Sequence, residues 1–359
     1  MEHIRNVFHK LKVIDKSFLT DEAVLLTFDV TEDLKDYFRF ESGQYITLKS
    51  EINNKEIRRS YSICTSPEEH SLSVVVKAID GGIFSNFIKD RIEIGDHLEV
   101  SIPEGRFVYN LSDKSAKNVF LVAAGSGITP IISIVKNILN NEPLSRVTLL
   151  FANKQIEDAI FYNQLKSLET QFKETLKVIY IFSQKKYDNY YFGRIDHAFL
   201  DTIIQQELET KSFSEYYTCG PEDLIKCVHD YLLSIEIPKE IIKSELFYSL
   251  ESEIGIEETI SEEIKSGKTT VEVIINEESH YVIVDHKSNI LESLLNEGLD
   301  VPYSCKKGNC SSCVGKVILG TVDMKQTDIL MDYEINEGFI LSCQSVPTSE
   351  KLTISYDEY

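Results

Sequence analysis

Four cysteines carry the clearest chemistry in this sequence. Cys305, Cys310 and Cys313 share one short segment with the spacing C-x4-C-x2-C, and Cys343 follows at a distance in LSCQS. Three thiolates on one loop can wrap one side of a small cluster of metal and sulfide while a fourth arrives from elsewhere, which is how [2Fe–2S] centres are held. Gly308, Ser311 and Ser312 between them are small, so backbone N–H groups can approach the sulfides and offset their negative charge. A zinc ion on four cysteines is the rival reading. Structural zinc sites usually pair one C-x2-C with another, and here the second pair is missing. Unligated thiols are the remaining alternative.

Three further segments suit phosphate and flat heterocycles. In Arg59-Ser60-Tyr61-Ser62 the guanidinium can neutralise a pyrophosphate, the phenol can stack and hydrogen-bond, and Ser62 can reach a ring nitrogen. In Gly81-Gly82-Ile83-Phe84-Ser85 the glycine pair lets the backbone turn tightly and approach a ligand. The helix start behind it offers unpaired N–H groups and roughly half a positive charge. Ser85 falls in that first turn. The third segment has two parts. Gly125-Ser126-Gly127-Ile128-Thr129-Pro130 follows an apolar run, and Cys219-Gly220-Pro221 ends another. The glycines permit close pyrophosphate approach. Thr129 suits a helix cap or a phosphate ligand, and Pro130 suits a first helical turn. Each segment also has an ordinary reading: a Ser/Tyr strand edge, a helix start, a turn, a buried small residue.

The elements that must position these residues fall into three blocks. In the first 110 residues AVLLTFDV, QYITLKS, RRSYSIC, LSVVVKAI and HLEVSIP are short β-branched and aromatic runs separated by turn residues. They predict a small antiparallel barrel, with one short helix over FSNFIKDRI. From about 115 strands alternate with helices: NVFLVAA, PIISIVKNILN, RVTLLFA, IEDAIFYNQLKSLETQF, LKVIYIFS, FLDTIIQQELE, EYYTCG and EDLIKCVHDYLLSI. That rhythm predicts a parallel sheet with helices on both faces. After a polar, acidic stretch, TTVEVIINEESHYVIVDH reads as a strand pair and NILESLLNEG as a short helix before the cysteine loop. The fold class expected is therefore multidomain. Its parts are an antiparallel β-barrel over 1–112, an α/β parallel-sheet domain over 113–248, an acidic linker over 249–268 and an α+β domain over 269–359.

Charge excludes some partners. The chain carries 37 Lys and Arg against 58 Asp and Glu, net −21. That disfavours nucleic acid, which needs a basic face, and docking on an anionic membrane. Residues 249–359 alone hold 8 basic and 21 acidic side chains, net −13, which marks a separate acidic module. The N-terminus, MEHIRNVFHKLKVIDK, lacks the apolar core of a signal peptide. The longest uncharged run, Asn118 to Val135, is interrupted by Gly125, Ser126, Gly127 and Pro130. It reads as strand, turn and helix start rather than a membrane span. Seven cysteines, an odd number, do not suggest a disulfide scaffold. The expected location is the cytoplasm.

Taken together, the motifs carry a resemblance. Residues 269–359 resemble a plant-type ferredoxin domain. Arg59–Ser62, the Gly81–Ser85 segment and Cys219-Gly220-Pro221 resemble the flavin and nicotinamide motifs of the ferredoxin–NADP⁺ reductase superfamily. The order flavin barrel, nucleotide sheet, ferredoxin resembles the reductase components of multicomponent oxygenases. It is most like the reductase subunits of bacterial phenylacetyl-CoA epoxidase systems. Phthalate-dioxygenase-type reductases share the domain order but use FMN; the G-G-x-x-S segment favours FAD.

The resemblance implies FAD on Arg59, Tyr61, Ser62, Gly81, Gly82 and Ser85. It implies a dinucleotide on Gly125, Gly127, Thr129, Cys219, Gly220 and Pro221, and a [2Fe–2S] cluster on Cys305, Cys310, Cys313 and Cys343. Hydride is expected to pass from NADPH to flavin N5 beside Ser62, Tyr61 and Cys219, then single electrons to the cluster, since nicotinamide moves two electrons and the cluster one. A plant-type cluster lies at roughly −400 mV, low enough to reduce an oxygenase iron site. The implied partner is an electron-accepting oxygenase component of the di-iron kind. Lys154, after the second strand of the nucleotide sheet, favours the 2′-phosphate of NADPH, where an acidic residue would favour NADH; Arg194 is a weaker second candidate. Glu245 and Phe247 match an acidic–aromatic ending near the flavin. Cys64 and Cys227 read as packing residues, and Lys306 and Lys307 as local charge in the cluster loop. The alternatives left open are a reductase for another hydroxylase, a desaturase or a soluble carrier, a redox sensor without turnover, and a zinc-stabilised adaptor.

Overall fold

The structure is a computed structural model of the chain and describes residues 7–111, 116–204, 213–247, 267–276, 278–325, 329–330 and 332–358. The linker expected over 249–268 lies outside these residues except for Gly267 and Lys268, as does the end of the helix expected over FLDTIIQQELE.

The first sheet is antiparallel and built from β1 (Phe8–Thr20), β2 (Ala23–Asp29), β3 (Tyr45–Ile52), β4 (Lys55–Ser62), β5 (Leu72–Lys77) and β6 (His97–Ser101), in the order β4-β3-β6-β1-β2-β5. An isolated bridge between Ile63 and Val74 brings β4 to β5, and Cys64 N–H donates to Ser73 O at 2.9 Å. The sheet thereby closes into the barrel. Leu11, Val13, Leu26, Ile46, Leu48, Val74 and Val76 fill it, with Phe84 and Ile88 of α1 (Ile83–Arg91) against one end. β1 is not among the expected strands. Lys10, Lys12, Asp15 and Lys16 hide its pattern, yet Leu11 and Val13 alternate inward between the lysines, as a half-buried strand requires.

The second sheet is wholly parallel. It contains β7 (Asn118–Ala124), β8 (Arg146–Asn153), β9 (Leu176–Phe182), β10 (Tyr191–Phe192), β11 (Glu215–Gly220) and β12 (Ile242–Leu246), in the order β10-β9-β8-β7-β11-β12. On one face Val119, Leu121 and Ala123 pack with α2 (Ile128–Asn141) and α3 (Tyr162–Gln171). On the other Phe120 and Val122 pack with α4 (His197–Thr202) and α5 (Glu222–Ser234). The chain runs outward from β7 and then returns to β7's other side as β11. The switch point therefore lies between the C-terminal ends of β7 and β11, where open α/β sheets bind ligands.

The single helix expected over IEDAIFYNQLKSLETQF is two pieces, a 3₁₀ turn at Ile156–Asp158 and α3. The break is at Phe161, whose φ is 64°. Ala159, Ile160 and Phe161 are all buried, and the left-handed backbone at Phe161 interrupts the helix there.

The third module has β13 (Lys268–Ile275), β14 (Glu278–Asp285), α6 (Ile290–Asn296), β15 (Val314–Leu319), β16 (Val322–Met324), α7 (Asp332–Asn336), β17 (Phe339–Leu341), β18 (Ser345–Pro347) and β19 (Lys351–Ser355). Five strands form a mixed sheet, β14-β13-β19-β15-β17, and β16 pairs with β18. Ile290, Leu291 and Leu294 of α6 complete the core with Val271, Val273, Val284 and Ile354.

The first two modules share a core. Ala23, Cys64 and Val75 of the barrel pack with α2. Ser133, Lys136 and Asn137 of α2 donate to Thr65 O, Cys64 O and Ser42 Oγ at 2.6, 3.2 and 2.8 Å. Among the described residues no helix is long and apolar enough to cross a membrane.

Candidate functional site

The four cysteines form two pairs. Cys310 Sγ lies 3.2 Å from Cys305 Sγ, and Cys313 Sγ lies 3.3 Å from Cys343 Sγ. The loop between α6 and β15 carries three of them, and the turn after β17 brings Cys343. Backbone N–H groups of Lys307 and Asn309 donate to Cys305 Sγ at 3.4 and 3.2 Å, and Gly308 N–H to Cys343 Sγ at 3.2 Å. Lys306 and Gly308 have φ of 59° and 78°, which turns these N–H groups toward the sulfurs. The hydrogen bond from the Cys310 thiol pulls Cys305 down to about 7 against burial. Cys343 is lowered in the same way by Cys313. One sulfur in each pair is therefore the more readily ionised, as a metal ligand must be. Among the described residues no three His, Cys, Asp or Glu side chains converge on a single ion. Two pairs of thiols suit a two-metal cluster, one pair per metal, better than one tetrahedral zinc.

The flavin-type motif ends β4. Ser62 is buried, and the Tyr61 ring stacks on Phe84 with centroids 6.3 Å apart and planes 26° apart. Arg59 donates to Arg58 O at 2.8 Å. At the start of α1, Gly82 is the N-cap and no side chain caps the first turn. A Cβ on Gly82 would stand 2.5 Å from Ser85 Oγ and 2.7 Å from Ile79 Cγ1. Ser85 Oγ is buried and has no hydrogen-bond partner. An orphaned hydroxyl beside uncapped N–H groups fits a phosphate.

At the switch point Gly125 has φ 54° and open space around it, whereas a Cβ on Gly127 would collide with the Cys219 carbonyl. Gly127 thus allows β7's turn to lie against β11. Thr129 is 2 % exposed and donates to Ser126 O at 3.0 Å. It ties the turn; the N-cap of α2 is Gly127, with no side-chain cap. Gly220 faces Leu224 and Ala124 closely, and Pro221 is the N-cap of α5. Lys154, just past β8, is exposed, and so is Arg194.

Three of these elements converge. The parallel pairing of β11 and β12 sets Cys219 opposite Glu245. Ser62 Oγ donates to Glu245 Oε2 at 3.3 Å, and Cys219 Sγ lies 4.0 Å from the same oxygen. Burial pushes Glu245 up to about 8 despite the Ser62 hydrogen bond. Burial, then the Glu245 charge, raises the Cys219 thiol well above its usual range. That environment favours the neutral thiol of Cys219 over its thiolate. Phe247 N–H donates to Gly220 O at 2.8 Å, which fastens the strand end there.

The cluster loop sits on the flavin-motif strand. Ser312 Oγ, between Cys310 and Cys313, is 3.2 Å from Ser60 Oγ and 3.2 Å from Tyr45 OH. Tyr45 OH is also 3.4 Å from Ser311 Oγ. Tyr45 and Ser60 escaped sequence reasoning as contacts. The only signal was Ser60's place inside the Arg59–Ser62 motif. The thiols of Cys64 and Cys227 lie 3.3 and 3.8 Å from the backbone carbonyls of Ser73 and Ile195, and both side chains pack against apolar cores, as packing residues do.

Comparison with known proteins agrees with this layout. An oxidoreductase FAD-binding domain model matches residues 10–109, an oxidoreductase NAD-binding domain model residues 121–230, and a 2Fe-2S iron-sulfur cluster binding domain model residues 273–348. The chain is 33 % identical over 351 residues to one of the subunits of the 1,2-phenylacetyl-CoA epoxidase of Escherichia coli K12, covering 98 % of each chain. It is 31 % identical over 355 residues to the ferredoxin reductase component of 3-ketosteroid-9-alpha-monooxygenase from Mycobacterium tuberculosis, covering 97 % of this chain and 94 % of that one. The solved phthalate dioxygenase reductase shares the fold, with a TM-score of 0.59 at 24 % identity over 97 % of this chain and 98 % of that one. With FAD, NAD(P)H and a [2Fe–2S] cluster as its cofactors, the chain belongs to the NAD(P)H-dependent reductase components of oxygenase systems.

Proposed function

We infer that this reductase takes electrons from NADPH and delivers them to a di-iron oxygenase component of the phenylacetyl-CoA epoxidase type. The observation that carries the internal route is the 3.2 Å approach of Ser60 to Ser312, which seats the cysteine loop on the strand bearing the flavin motif. The acceptor rests on the 33 % identity to the epoxidase subunit over nearly the whole of both chains.

When bound, FAD exchanges an electron pair for two single electrons and the cluster carries them one at a time. The chain's residues do the rest. Arg59, the uncapped N–H groups after Gly81 and Gly82, and the Ser85 hydroxyl hold the FAD pyrophosphate. Tyr61, braced by Phe84, would offer its ring to the flavin. Ser62, Cys219 and Glu245 wall the place where flavin and nicotinamide meet, and Glu245 holds or releases a proton beside Ser62. Gly125, Gly127, Gly220 and Pro221 let the dinucleotide approach the switch point, with Thr129 bracing the turn. The exposed Lys154 supports the 2′-phosphate of NADPH over NADH. Cys305 with Cys310, and Cys313 with Cys343, each take one iron.

The limits of the three sheets, Phe8–Ser101, Asn118–Leu246 and Lys268–Ser355, support domains over 1–112, 113–248 and 269–359 with an acidic linker expected over 249–268, save that Lys268 already pairs with Asp285 in β13. Four cysteines given to a cluster and three left as packing or pocket thiols suit the reducing cytoplasm.

The test is reconstitution. The chain, NADPH and purified epoxidase components should convert phenylacetyl-CoA with stoichiometric NADPH use. A second reading, a steroid-type monooxygenase as acceptor, is favoured by the 31 % identity to the ketosteroid reductase component. Coupling to that oxygenase but not to the epoxidase would select it.

A further inference from the structure

Outside the cofactor motifs the barrel and the iron–sulfur module meet through two arginines. Arg58 precedes Arg59 on β4 and so points to the opposite face of the strand. It is 5 % exposed. Its Nε donates to Glu56 Oε1 at 2.8 Å and its Nη2 to Asp300 Oδ1 at 3.4 Å. The guanidinium carbon lies 5.0 Å from the Phe8 ring centre and 4.2 Å from that of Tyr303. Tyr303 OH in turn donates to Glu56 Oε1 at 3.1 Å. One cation thus holds a ring and a carboxylate from each module. Arg106, in the loop after β6, makes the second contact. Its Nη1 is 2.6 Å from Glu334 Oε1 on α7, and its guanidinium carbon is 5.2 Å from the Phe339 ring centre.

The module these arginines grip is the most acidic part of the chain, and residues 1–110 carry 14 basic against 19 acidic side chains, so the attraction is local to the two arginines and offsets a repulsion between the modules as wholes. In each pair one charge is buried, Arg58 at 5 % and Glu334 at 8 % exposed, while Arg106 is 27 %, Glu56 44 % and Asp300 69 % exposed. Removing Arg106 takes a cation from the buried Glu334 carboxylate, and removing Arg58 takes away a group that bridges Glu56, Asp300 and two rings, which makes both contacts sensitive to truncation. A planar guanidinium stacks on rings and bonds carboxylates together; an ammonium does not.

We propose that Arg58 and Arg106 are positioning residues, a two-point clamp that holds the iron–sulfur module with its cysteine loop on β4 and so sets the rate of internal electron transfer without touching either cofactor. The clamp rests on the reading that Cys305, Cys310, Cys313 and Cys343 hold the cluster and that β4 borders the flavin. The internal rate scales with the clamped fraction of molecules, so salt, which screens the exposed Asp300 and the partly exposed Arg106, slows it.

The test is anaerobic stopped-flow of the full holoprotein with NADPH, following flavin bleaching and cluster bleaching separately. Arg58→Ala and Arg106→Glu should each slow cluster reduction about tenfold or more, with flavin reduction kept within about twofold of wild type, because the Arg58 side chain points to the face of β4 opposite Arg59 and Arg59 bonds only the Arg58 backbone carbonyl, which alanine keeps, while Arg106 lies outside the flavin motifs. Arg58→Lys should not restore the rate. The double variant Arg106→Glu with Glu334→Arg should recover most of what Arg106→Glu loses. Wild-type cluster rates in the single variants would overturn the clamp. So would equal slowing of both steps, or no recovery in the charge swap. Wild-type protein without iron would overturn the cluster reading, and the clamp with it.

Discussion

Ser62 of the barrel donates a hydrogen bond to Glu245, the residue paired with Cys219 across β11 and β12, at 3.3 Å. The last strand of the nucleotide sheet therefore places a carboxyl against the flavin motif. It keeps partial solvent exposure, but burial still drives its pKa upward, to about 8. The sign follows by linkage. From the ordinary value of 4.5 up to about 8, the folded chain keeps a proton that the unfolded chain has released, so stability is full below this window and falls as pH rises through it. Glu245→Gln removes that slope. Melting temperatures measured from pH 5 to about pH 9 should fall more for wild type than for the variant; parallel curves would count against a raised carboxyl.

Ser85 predicts an unusual split between stability and binding. Its hydroxyl is buried without a partner, so Ser85→Ala removes an unsatisfied group and should leave the apoprotein at least as stable. The same change deletes one phosphate contact and should weaken FAD by about 1–2 kcal/mol. Fluorescence titration with FAD beside apoprotein melting reads both. A variant that loses stability and keeps FAD affinity contradicts the assignment. Gly82→Ala, whose Cβ would press on Ser85 and Ile79, should cost more FAD affinity than Ser85→Ala.

Lys154 predicts a change of coenzyme. Lys154→Glu replaces attraction for the 2′-phosphate with repulsion. It should lower kcat/KM for NADPH by about tenfold or more while sparing NADH, because only the phosphate differs. Equal losses with both coenzymes would make Lys154 a general contact, and no loss would make it surface.

Cys343 separates the two halves of the relay. Cys343→Ser should abolish the iron–sulfur bands and delivery to the oxygenase. NADPH-driven reduction of a dye that accepts electrons from the flavin should persist. Retained iron–sulfur absorbance with full delivery would remove Cys343 from the ligand set.

Much of this site is legible in the residues because its chemistry is local. C-x4-C-x2-C sits on one loop, Arg59–Ser62 on one strand, and Gly81–Ser85 on one turn. The barrel and the β–α alternation follow from period-2 runs and from helical stretches bounded by Gly and Pro. What escapes is non-local or masked. Arg58 and Asp300 are 242 residues apart, and nothing near either one announces the other. The pairing of Glu245 with Ser62 across 183 residues becomes visible only once β12 is known to lie beside β11. β1 escapes because lysines on its outer face cover a clean inward alternation. The 3₁₀ turn and short α3 escape because Ile160 and Phe161 look helical by composition but are buried by a left-handed turn.

The central claim is that electrons cross from flavin to cluster inside this one chain. An anaerobic NADPH titration followed by visible absorbance, with metal analysis of the same sample, tests it most directly. The account predicts iron and acid-labile sulfide in the protein, and bleaching of the flavin bands together with the broader iron–sulfur bands. Bleached flavin beside a cluster that stays oxidised, or zinc in place of iron, would contradict it.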